Sequence, residues 1–214
     1  MQIAGSFFDQ DLYYRKTNNQ GNQAWTKVAK ANDVMTTFIH WGRADCPASS
    51  SVSIVYAGWA GGGHYGHSGS GANTLCLTST PTWTGASFHD GNQNGGLIYG
   101  TEFQPSGHGN LLMTAQGMQD WNAKCASCLV TGDAVTLMVP GSVACPAGWA
   151  RQYWGYLMSS HYTQTKSEFV CVANNPGKYG AHGGDQNGNL WYPVEFENGS
   201  GSGNGYTHDR EITC

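Results

Sequence analysis

The chain repeats itself around its cysteines, and this repeat constrains the fold more than any other feature of the sequence. A Cys-Pro step, a Tyr-x-Gly step, a His-Tyr pair, a second cysteine, an Asn-Gly pair and a Glu-Phe step follow one another twice. The step from the second cysteine of each copy to the next proline is five residues in both (76 to 81 and 171 to 176). Such an internal duplication predicts two halves of similar structure. The matching positions are Cys46-Pro47, Tyr56, Gly58, His64-Tyr65, Cys76, Pro81, Asn94-Gly95, Tyr99 and Glu102-Phe103 in the first copy, and Cys145-Pro146, Tyr153, Gly155, His161-Tyr162, Cys171, Pro176, Asn187-Gly188, Tyr192 and Glu195-Phe196 in the second.

The two copies occupy residues 38–135 and 136–214, and residues 1–37 form a lead-in segment. Short β-branched and aromatic runs bounded by Gly, Pro and Asn predict strands, and a helix of any length is hard to find. Each Asn-Gly pair is typical of a tight hairpin turn with both residues at positive φ. We therefore predict an all-β fold in which two pseudo-symmetric, disulfide-stapled β subdomains form one globular unit. The predicted strands include residues 51–57, 97–99, 134–139 and 190–196.

The lead-in is either a strand that docks on the domain or a flexible arm. Phe7, Phe8, Tyr13, Tyr14 and Trp25 make it too apolar to leave in water, which favours docking.

Composition limits the partners and the compartment. Charged residues make up only 11% of the chain, and the net charge is −4, so no basic field attracts phosphates and nucleic acid is not an expected partner. Seven cysteines in an aromatic-rich chain are typical of an oxidising compartment. No stretch approaches the roughly 20 apolar residues of a membrane span. We predict an extracellular, secreted protein with no membrane span.

The residues also argue against an enzyme. The Cys125-Ala-Ser-Cys128 spacing could be a redox pair, but such a pair needs a βαβ setting and a lowered thiol pKa. The Gly-rich stretch at 66–71 does not meet the G-x-S-x-G pattern of a hydrolase nucleophile. Carboxylates are sparse, with no pair clustered as a glycosidase needs. Structural disulfides and no catalytic residues are the expectation.

Two patterns could hold a metal ion. His64-x-x-His67 has the spacing of zinc or copper ligands, but the second copy keeps only His161-Tyr162, which favours a structural role for the histidines. Asp90-x-Asn92-x-Asn94 and Asp185-x-Asn187-x-Asn189 each alternate three oxygen side chains, as calcium loops do. Neither continues to a Glu at the twelfth position, so calcium would be held weakly. The alternative is an Asx-turn hairpin with no ion, and no cofactor is expected.

Aromatic side chains near Gly-rich loops suggest a ligand-binding surface. Trp faces stack on sugar rings, and a Gly-rich loop lets a ligand approach the backbone closely. We assign Trp149 and Trp154 to the core. The sequon at Asn198 predicts a glycan in a Gly/Ser-rich loop. The predicted ligand-binding residues are Trp59, His64, Tyr65, His67, Asn73 and Trp83.

Over residues 39–214 the chain resembles a known family. The motifs that carry the resemblance are Trp41-Gly-Arg43-x-x-Cys46-Pro, Val55-Tyr-x-Gly58, Gly63-His-Tyr65, Gly71-Ala-Asn73-x-x-Cys76-Leu, Cys125-Ala-Ser-Cys128 and Cys145-Pro-Ala-Gly-Trp149. They resemble the C-terminal domain of short-chain, sponge-type collagens and, more distantly, the C-terminal non-collagenous domain of type IV collagen. The chain itself has no Gly-X-Y repeat.

The resemblance implies disulfides Cys46–Cys128, Cys76–Cys125 and Cys171–Cys214, and it leaves Cys145 without its expected partner. It also implies a non-catalytic role in extracellular matrix assembly or adhesion, with self-association into a trimer or larger oligomer. The missing Gly-X-Y repeat favours a rival, a soluble lectin-like or defence protein that binds glycans.

Overall fold

The protein is nearly all β, as predicted. The computed structural model describes residues 2–5, 12–15, 24–27, 35–83, 91, 93–109, 111–132, 135–179, 185–197, 199 and 205–214. Within these ranges there is one helix, of four residues, and it lacks the length to span a membrane. The elements are β1 (Gln2–Gly5), β2 (Leu12–Arg15), β3 (Thr26–Lys27), β4 (Met35–Trp41), β5 (Val52–Gly62), β6 (Leu75–Thr78), β7 (Tyr99–Phe103), α1 (Leu112–Ala115), β8 (Lys124–Thr131), β9 (Gly155–Ser159), β10 (Val170–Ala173), β11 (Asn189–Pro193), β12 (Glu195–Phe196) and β13 (Arg210–Glu211).

The lead-in forms a small antiparallel sheet of its own, in the order β1-β2-β3. Trp25 is 42% exposed, and the guanidinium of Arg15 lies 4.8 Å from its ring centroid. Phe7 and Phe8 lie outside the described residues, and no ladder between described strands joins this sheet to the rest of the protein. The first strand of the main sheet, β4, begins at Met35, a few residues before the predicted boundary after residue 37.

The main sheet closes into a seven-stranded barrel. Its strands follow the order β5-β7-β11-β9-β10-β4-β8, and β8 pairs back to β5. β8 closes the ring because it pairs with β4 along seven residues and with β5 from Val52 to Trp59. β6 lies outside the ring and pairs with β5 alone among the described strands.

The barrel interior is filled by large apolar side chains. Phe103, Met113, Met158 and Trp191 are fully buried. Trp41 meets Trp191 edge-on, with 5.7 Å between ring centroids and an interplanar angle of 88°, one of the favourable aromatic arrangements. The barrel is therefore a packed core rather than a channel.

Three disulfides staple the barrel, and they are the three pairs that the resemblance implies: Cys46–Cys128, Cys76–Cys125 and Cys171–Cys214. The first two tie both cysteines of β8 to preceding parts of the chain. Cys145 is a half-buried free thiol.

The strand registers of the two halves correspond. In β5 and β6, Gly58 lies opposite Thr78, and the corresponding Gly155 of β9 lies opposite Ala173 of β10. Further along, Gly62 lies opposite Tyr99, and Ser159 lies opposite the corresponding Tyr192. These pairs follow the sequence repeat residue by residue.

Side chains correspond as well. The hydroxyl of Tyr56 donates to the carbonyl oxygen of Cys76 (3.0 Å), and that of Tyr153 donates to the carbonyl oxygen of Cys171 (2.9 Å). The correspondences support the predicted duplication, which stays a prediction about the origin of the chain.

Some local predictions were wrong. The described part of the expected strand 134–139 is not in a strand, and β7 begins at Tyr99, the last residue of the expected strand 97–99. The turns also differ from the expected type: Asn94 (φ 58°) and Asn187 (φ 51°) are left-handed, but the glycines after them are not. The expected strands 51–57 and 190–196 correspond to β5 and to β11 with β12.

Candidate binding surfaces

A polar cleft of about 420 Å3 lies between the Gly-rich loop 63–72 and the loop 160–167. Backbone hydrogen bonds set its shape: the amide of Tyr65 donates to the carbonyl of Gly188, and the amide of Thr165 donates to the carbonyl of Tyr65 (3.0 and 2.9 Å). Serine hydroxyls and backbone groups dominate its walls. The cleft therefore offers hydrogen-bond donors and acceptors beside apolar surface.

A ring cluster stands at one side of this cleft. His64 stacks on His67 at 4.2 Å between centroids, with an interplanar angle of 26°, and it also contacts Tyr65 and Tyr99. The amide of Gly66 donates to Nδ1 of His64 (3.1 Å), so this nitrogen is unprotonated. Partial burial, and then the neighbouring His67, lower the pKa of His64. His64 is neutral at physiological pH.

This geometry does not favour the zinc or copper alternative. The nitrogen lone pairs of an imidazole lie in the ring plane, so two stacked rings do not aim them at one ion. The second half has the same corner without a second histidine. There His161 lies 4.4 Å from Tyr162 and 5.1 Å from Tyr192, close to the 4.5 and 4.9 Å separations around His64. A structural role for both histidines is the better interpretation.

The structure brings together only part of the predicted ligand-binding set. His64 and Tyr65 line the cleft, whereas Trp59, His67, Asn73 and Trp83 do not. The Trp59 ring is half-buried and covered by Nζ of Lys124, 4.2 Å from its centroid. Trp83 is 73% exposed. Asn198, the predicted glycosylation site, lies outside the described residues.

The second predicted calcium loop is held as a turn by a carboxylate from the first half. The amides of Gln186 and Asn187 donate to the two carboxylate oxygens of Glu102, each at 3.1 Å. Asn189 is buried and donates from Nδ2 to Oγ1 of Thr101 (2.8 Å), away from Asp185. Asn189 is thus engaged elsewhere, but carboxylate oxygens of Glu102, Asp120 and Asp185 lie within 4.8 Å of one another, so the calcium and turn alternatives both stay predictions. Of the first loop, Asp90 and Asn92 lie outside the described residues, and Asn94 is exposed.

The free side of β6 presents an apolar patch, which we call the β6 edge: Tyr56, Leu75, Leu77 and Ile98, exposed by 37%, 46%, 38% and 48%. Side-chain atoms of Leu77 and Ile98 both lie within 3.3 Å of the Cβ position that Gly61 lacks, so these two residues are neighbours. The hydroxyl of Tyr56 reaches β6 through its bond to Cys76. The sequence analysis missed this surface: it placed Tyr56 and Ile98 in predicted strands and gave Leu75 and Leu77 no role.

A second, apolar groove of about 310 Å3 lies between residues 135–139 and 149–153, with Cys145 in its wall. Trp149 is 43% exposed at this groove, so its assignment to the core was wrong. Tyr153 is half-buried in the groove wall, and its hydroxyl donates to the carbonyl oxygens of Ile39 and Cys171. Desolvation raises the pKa of this phenol well above its usual range.

Comparison of the chain with protein-family models, with curated proteins and with solved structures finds no match. The collagen resemblance therefore stays a prediction, and a functional proposal has to rest on the geometry of these surfaces.

Proposed function

We propose that the protein is a non-catalytic extracellular assembly module that associates with further copies of itself through the β6 edge. The observation that carries the proposal is the exposed apolar strand at the border of the main sheet. An edge strand presents backbone N–H and C=O groups that can pair with another chain, and native proteins protect such edges with charges, prolines or bulges. β6 has the sequence Leu-Cys-Leu-Thr and contains none of these, so its short length of four residues is the one protection of this kind that it has.

The side chains add an apolar contact to this backbone template. The β6 edge continues from β6 to Tyr56 on β5 and to Ile98 just before β7. Contiguous exposed apolar patches rimmed by polar residues mark interaction sites. Two copies of β6 related by a twofold axis would each offer the same surface to the other, as in most homo-oligomers.

The disulfides support the extracellular part of the proposal. Structural disulfides persist in oxidising environments and are rare in the cytosol. The three disulfides join residues that are far apart in the sequence, with separations of 82, 49 and 43 residues.

Sedimentation velocity over a range of protein concentrations tests the proposal. The wild-type protein should associate, and Leu77→Lys should weaken association at least tenfold by placing a charge in the contact. Leu112→Lys is the matched control, because Leu112 is a leucine of similar exposure (41%) on α1, away from β6. A wild-type protein that stays monomeric at all concentrations, or equal effects of the two substitutions, would refute the proposal.

Glycan binding in the polar cleft is the second candidate function. It is favoured by the hydroxyl-rich walls and by the ring of Tyr65, which is 36% exposed and available for stacking. A sugar retained on a glycan array should be lost in Tyr65→Ala. It should be kept in Tyr162→Ala, which removes the corresponding tyrosine of the second half; that residue is 91% exposed and does not line the cleft. Absence of any retained sugar excludes this candidate for the glycans tested.

A further inference from the structure

Two glutamates lie directly opposite each other on the small sheet formed by β12 and β13. Glu195 of β12 pairs with Glu211 of β13. The amide of Ile212 donates to the carbonyl of Val194 (2.8 Å), which makes the two glutamates a non-hydrogen-bonded pair, the kind in which opposite side chains lie closest. Like charges in directly opposite positions destabilise an antiparallel pair. A cation between the two carboxylates would therefore stabilise this sheet.

A histidine from the first half of the chain reaches the same place. Nδ1 of His108 lies 3.2 Å from Oε1 of Glu195. Ligand atoms of His108, Glu195 and Glu211 all lie within 4.8 Å of one another. Oε1 of Glu211 also lies 3.4 Å from the Cβ position that Gly109 lacks, so the loop that carries His108 passes close beside this carboxylate. One imidazole and two carboxylates therefore converge at this point.

The loop that carries His108 is a defined turn. The amide of His108 donates to the carbonyl of Pro105 (3.2 Å), and Gly107 has a left-handed φ of 86°. Glycine in this conformation at the third position is typical of a type II turn. The amide of Ser106 donates to Oε1 of Gln119 (3.0 Å), which ties the turn to the segment after α1. Backbone conformation thus sets the position of the imidazole.

The two glutamates are also anchored to the barrel. The amide of Leu157 in β9 donates to the carbonyl of Ile212 (2.8 Å), the residue that follows Glu211. The Cys171–Cys214 disulfide joins the same stretch of chain to β10. Ligands held by strands and a disulfide need little ordering when an ion binds.

The surroundings of these side chains favour a cation. The side chain of His108 is 19% exposed and that of Glu195 is 36% exposed, so the ligand atoms are partly shielded from water. Within the part of the chain that the structure describes, no lysine or arginine forms an ion pair with Glu195 or Glu211. Arg210 is adjacent in β13, but successive residues of a strand point to opposite faces. With a neutral imidazole, the cluster carries two negative charges.

We propose that His108, Glu195 and Glu211 form a zinc site that ties the 105–109 loop to β12 and β13. The donor set selects the ion, because an imidazole nitrogen suits zinc, whereas calcium and magnesium take oxygen ligands. Zinc replaces the proton between Nδ1 of His108 and Glu195, and this proton is released to solvent. The proposal concerns a surface separate from the β6 edge and does not depend on self-association.

The observed separations are compatible with zinc. Around a tetrahedral ion with bonds of about 2.0–2.2 Å, ligand atoms lie about 3.3–3.5 Å apart. The 3.2 Å between His108 and Glu195 is already close to this value. The limit of 4.8 Å means that the remaining ligand atoms have to approach by at most about 1.5 Å, a distance that glutamate rotamers supply. Three protein ligands leave the fourth position for water.

Zinc titration of the chelator-treated protein, without a histidine tag and in competition with a chromophoric chelator, tests the proposal. The wild-type protein should bind zinc, and His108→Ala and Glu211→Gln should each weaken binding by about tenfold or more. His208→Ala is the matched control. His208 lies 3.5 Å from a carboxylate oxygen of Glu197 and 3.4 Å from one of Asp209, but all three of these residues are exposed. This control should bind zinc as the wild-type protein does.

Thermal unfolding separates loss of the site from a folding defect. Without metal, Glu211→Gln should unfold at the same temperature as the wild-type protein or a higher one, because the substitution removes the repulsion between opposite carboxylates. Zinc should raise the Tm of the wild-type protein and of His208→Ala, and it should leave the Tm of His108→Ala and Glu211→Gln nearly unchanged.

Several results would overturn the proposal. A wild-type protein that binds no zinc, or zinc binding that is unchanged in His108→Ala or in Glu211→Gln, would exclude this site. Equal losses in His108→Ala and His208→Ala would show unselective binding to surface histidines. Calcium that binds as tightly as zinc and is insensitive to His108→Ala would assign the carboxylates to an oxygen-only site. Sedimentation in the presence of chelator keeps failure of the β6 edge separate from each of these outcomes.

Discussion

Gly58 and Gly155 are corresponding glycines at which the backbone of a neighbouring strand passes too closely for any side chain. A Cβ at Gly58 would lie 1.6 Å from the carbonyl oxygen of Leu77, and one at Gly155 would lie 1.7 Å from that of Val172. Ordinary carbon–oxygen contacts are about 3.3 Å or longer, so alanine would push the strands apart by roughly 1.7 Å. Overpacking costs about 1–3 kcal/mol, and each ladder hydrogen bond that is lost adds about 1 kcal/mol. We expect Gly58→Ala and Gly155→Ala each to cost about 3 kcal/mol.

Thermal unfolding followed by near-ultraviolet circular dichroism measures this cost. For a chain of this length, about 3 kcal/mol corresponds to a fall in Tm of roughly 6–12 °C. Gly100→Ala in β7 is the control, because nothing lies within 4 Å of its Cβ position, and its effect should stay within about 0.5 kcal/mol. A loss below about 1 kcal/mol at Gly58 or Gly155 would refute the close approach of the strands. Strongly unequal losses would refute the correspondence of the halves.

Two further predictions concern buried polar groups. His40 is buried, and desolvation lowers its pKa below the unfolded value of 6.5. The folded protein therefore binds fewer protons at this site than the unfolded chain, so the free energy of unfolding should fall as the pH drops through 6.5. Between pH 7.5 and 5, the Tm of His40→Asn should fall less steeply than the Tm of His208→Asn, in which an exposed histidine is replaced. Glu102→Gln should cost about 2 kcal/mol, because one of the two amides it accepts from loses its partner. Faster hydrogen exchange at residues 185–188 checks this, with Glu195→Gln, the exposed counterpart, as the control.

The all-β fold class was predictable because short sequence patterns mark the individual strands of this chain. β-branched and aromatic runs bounded by Gly and Asn gave the positions of β5 and β11 to within a few residues. The closure of the barrel was not predictable in this way. Closure depends on β8 pairing with both β4 and β5. Such long-range pairing is not visible in the hydrophobic periodicity of any single segment.

The expected strand 134–139 also shows that a local pattern does not determine strand pairing. Its apolar and β-branched residues are typical of a strand, but such a run alone cannot tell whether a neighbouring strand is present to pair with it. In β4 the partner is β8, and along residues 135–139 no described strand fills that place.

Only part of the candidate sites could be predicted, again because local patterns do not reveal contacts between distant parts of the chain. Sequence reasoning found His64 and Tyr65 because they lie together in a Gly-rich loop, which local composition reveals. It missed the role of Glu102 at the 185–187 turn, because the carboxylate and the amides it accepts from are more than 80 residues apart. The repeat comparison matched Glu102 with Glu195 but could not give Glu102 its role, because the two make different contacts: Glu195 pairs with Nδ1 of His108 (3.2 Å).

The proposed self-association surface lies where the correspondence between the halves is broken. β10 pairs with β4 through Val172 and Trp41, so it is covered on both sides, whereas the corresponding β6 pairs with β5 alone and keeps a free edge among the described strands. The free edge of β6 is therefore the place where the first half departs from the second among the described strands, and it offers one open ladder to a copy of itself.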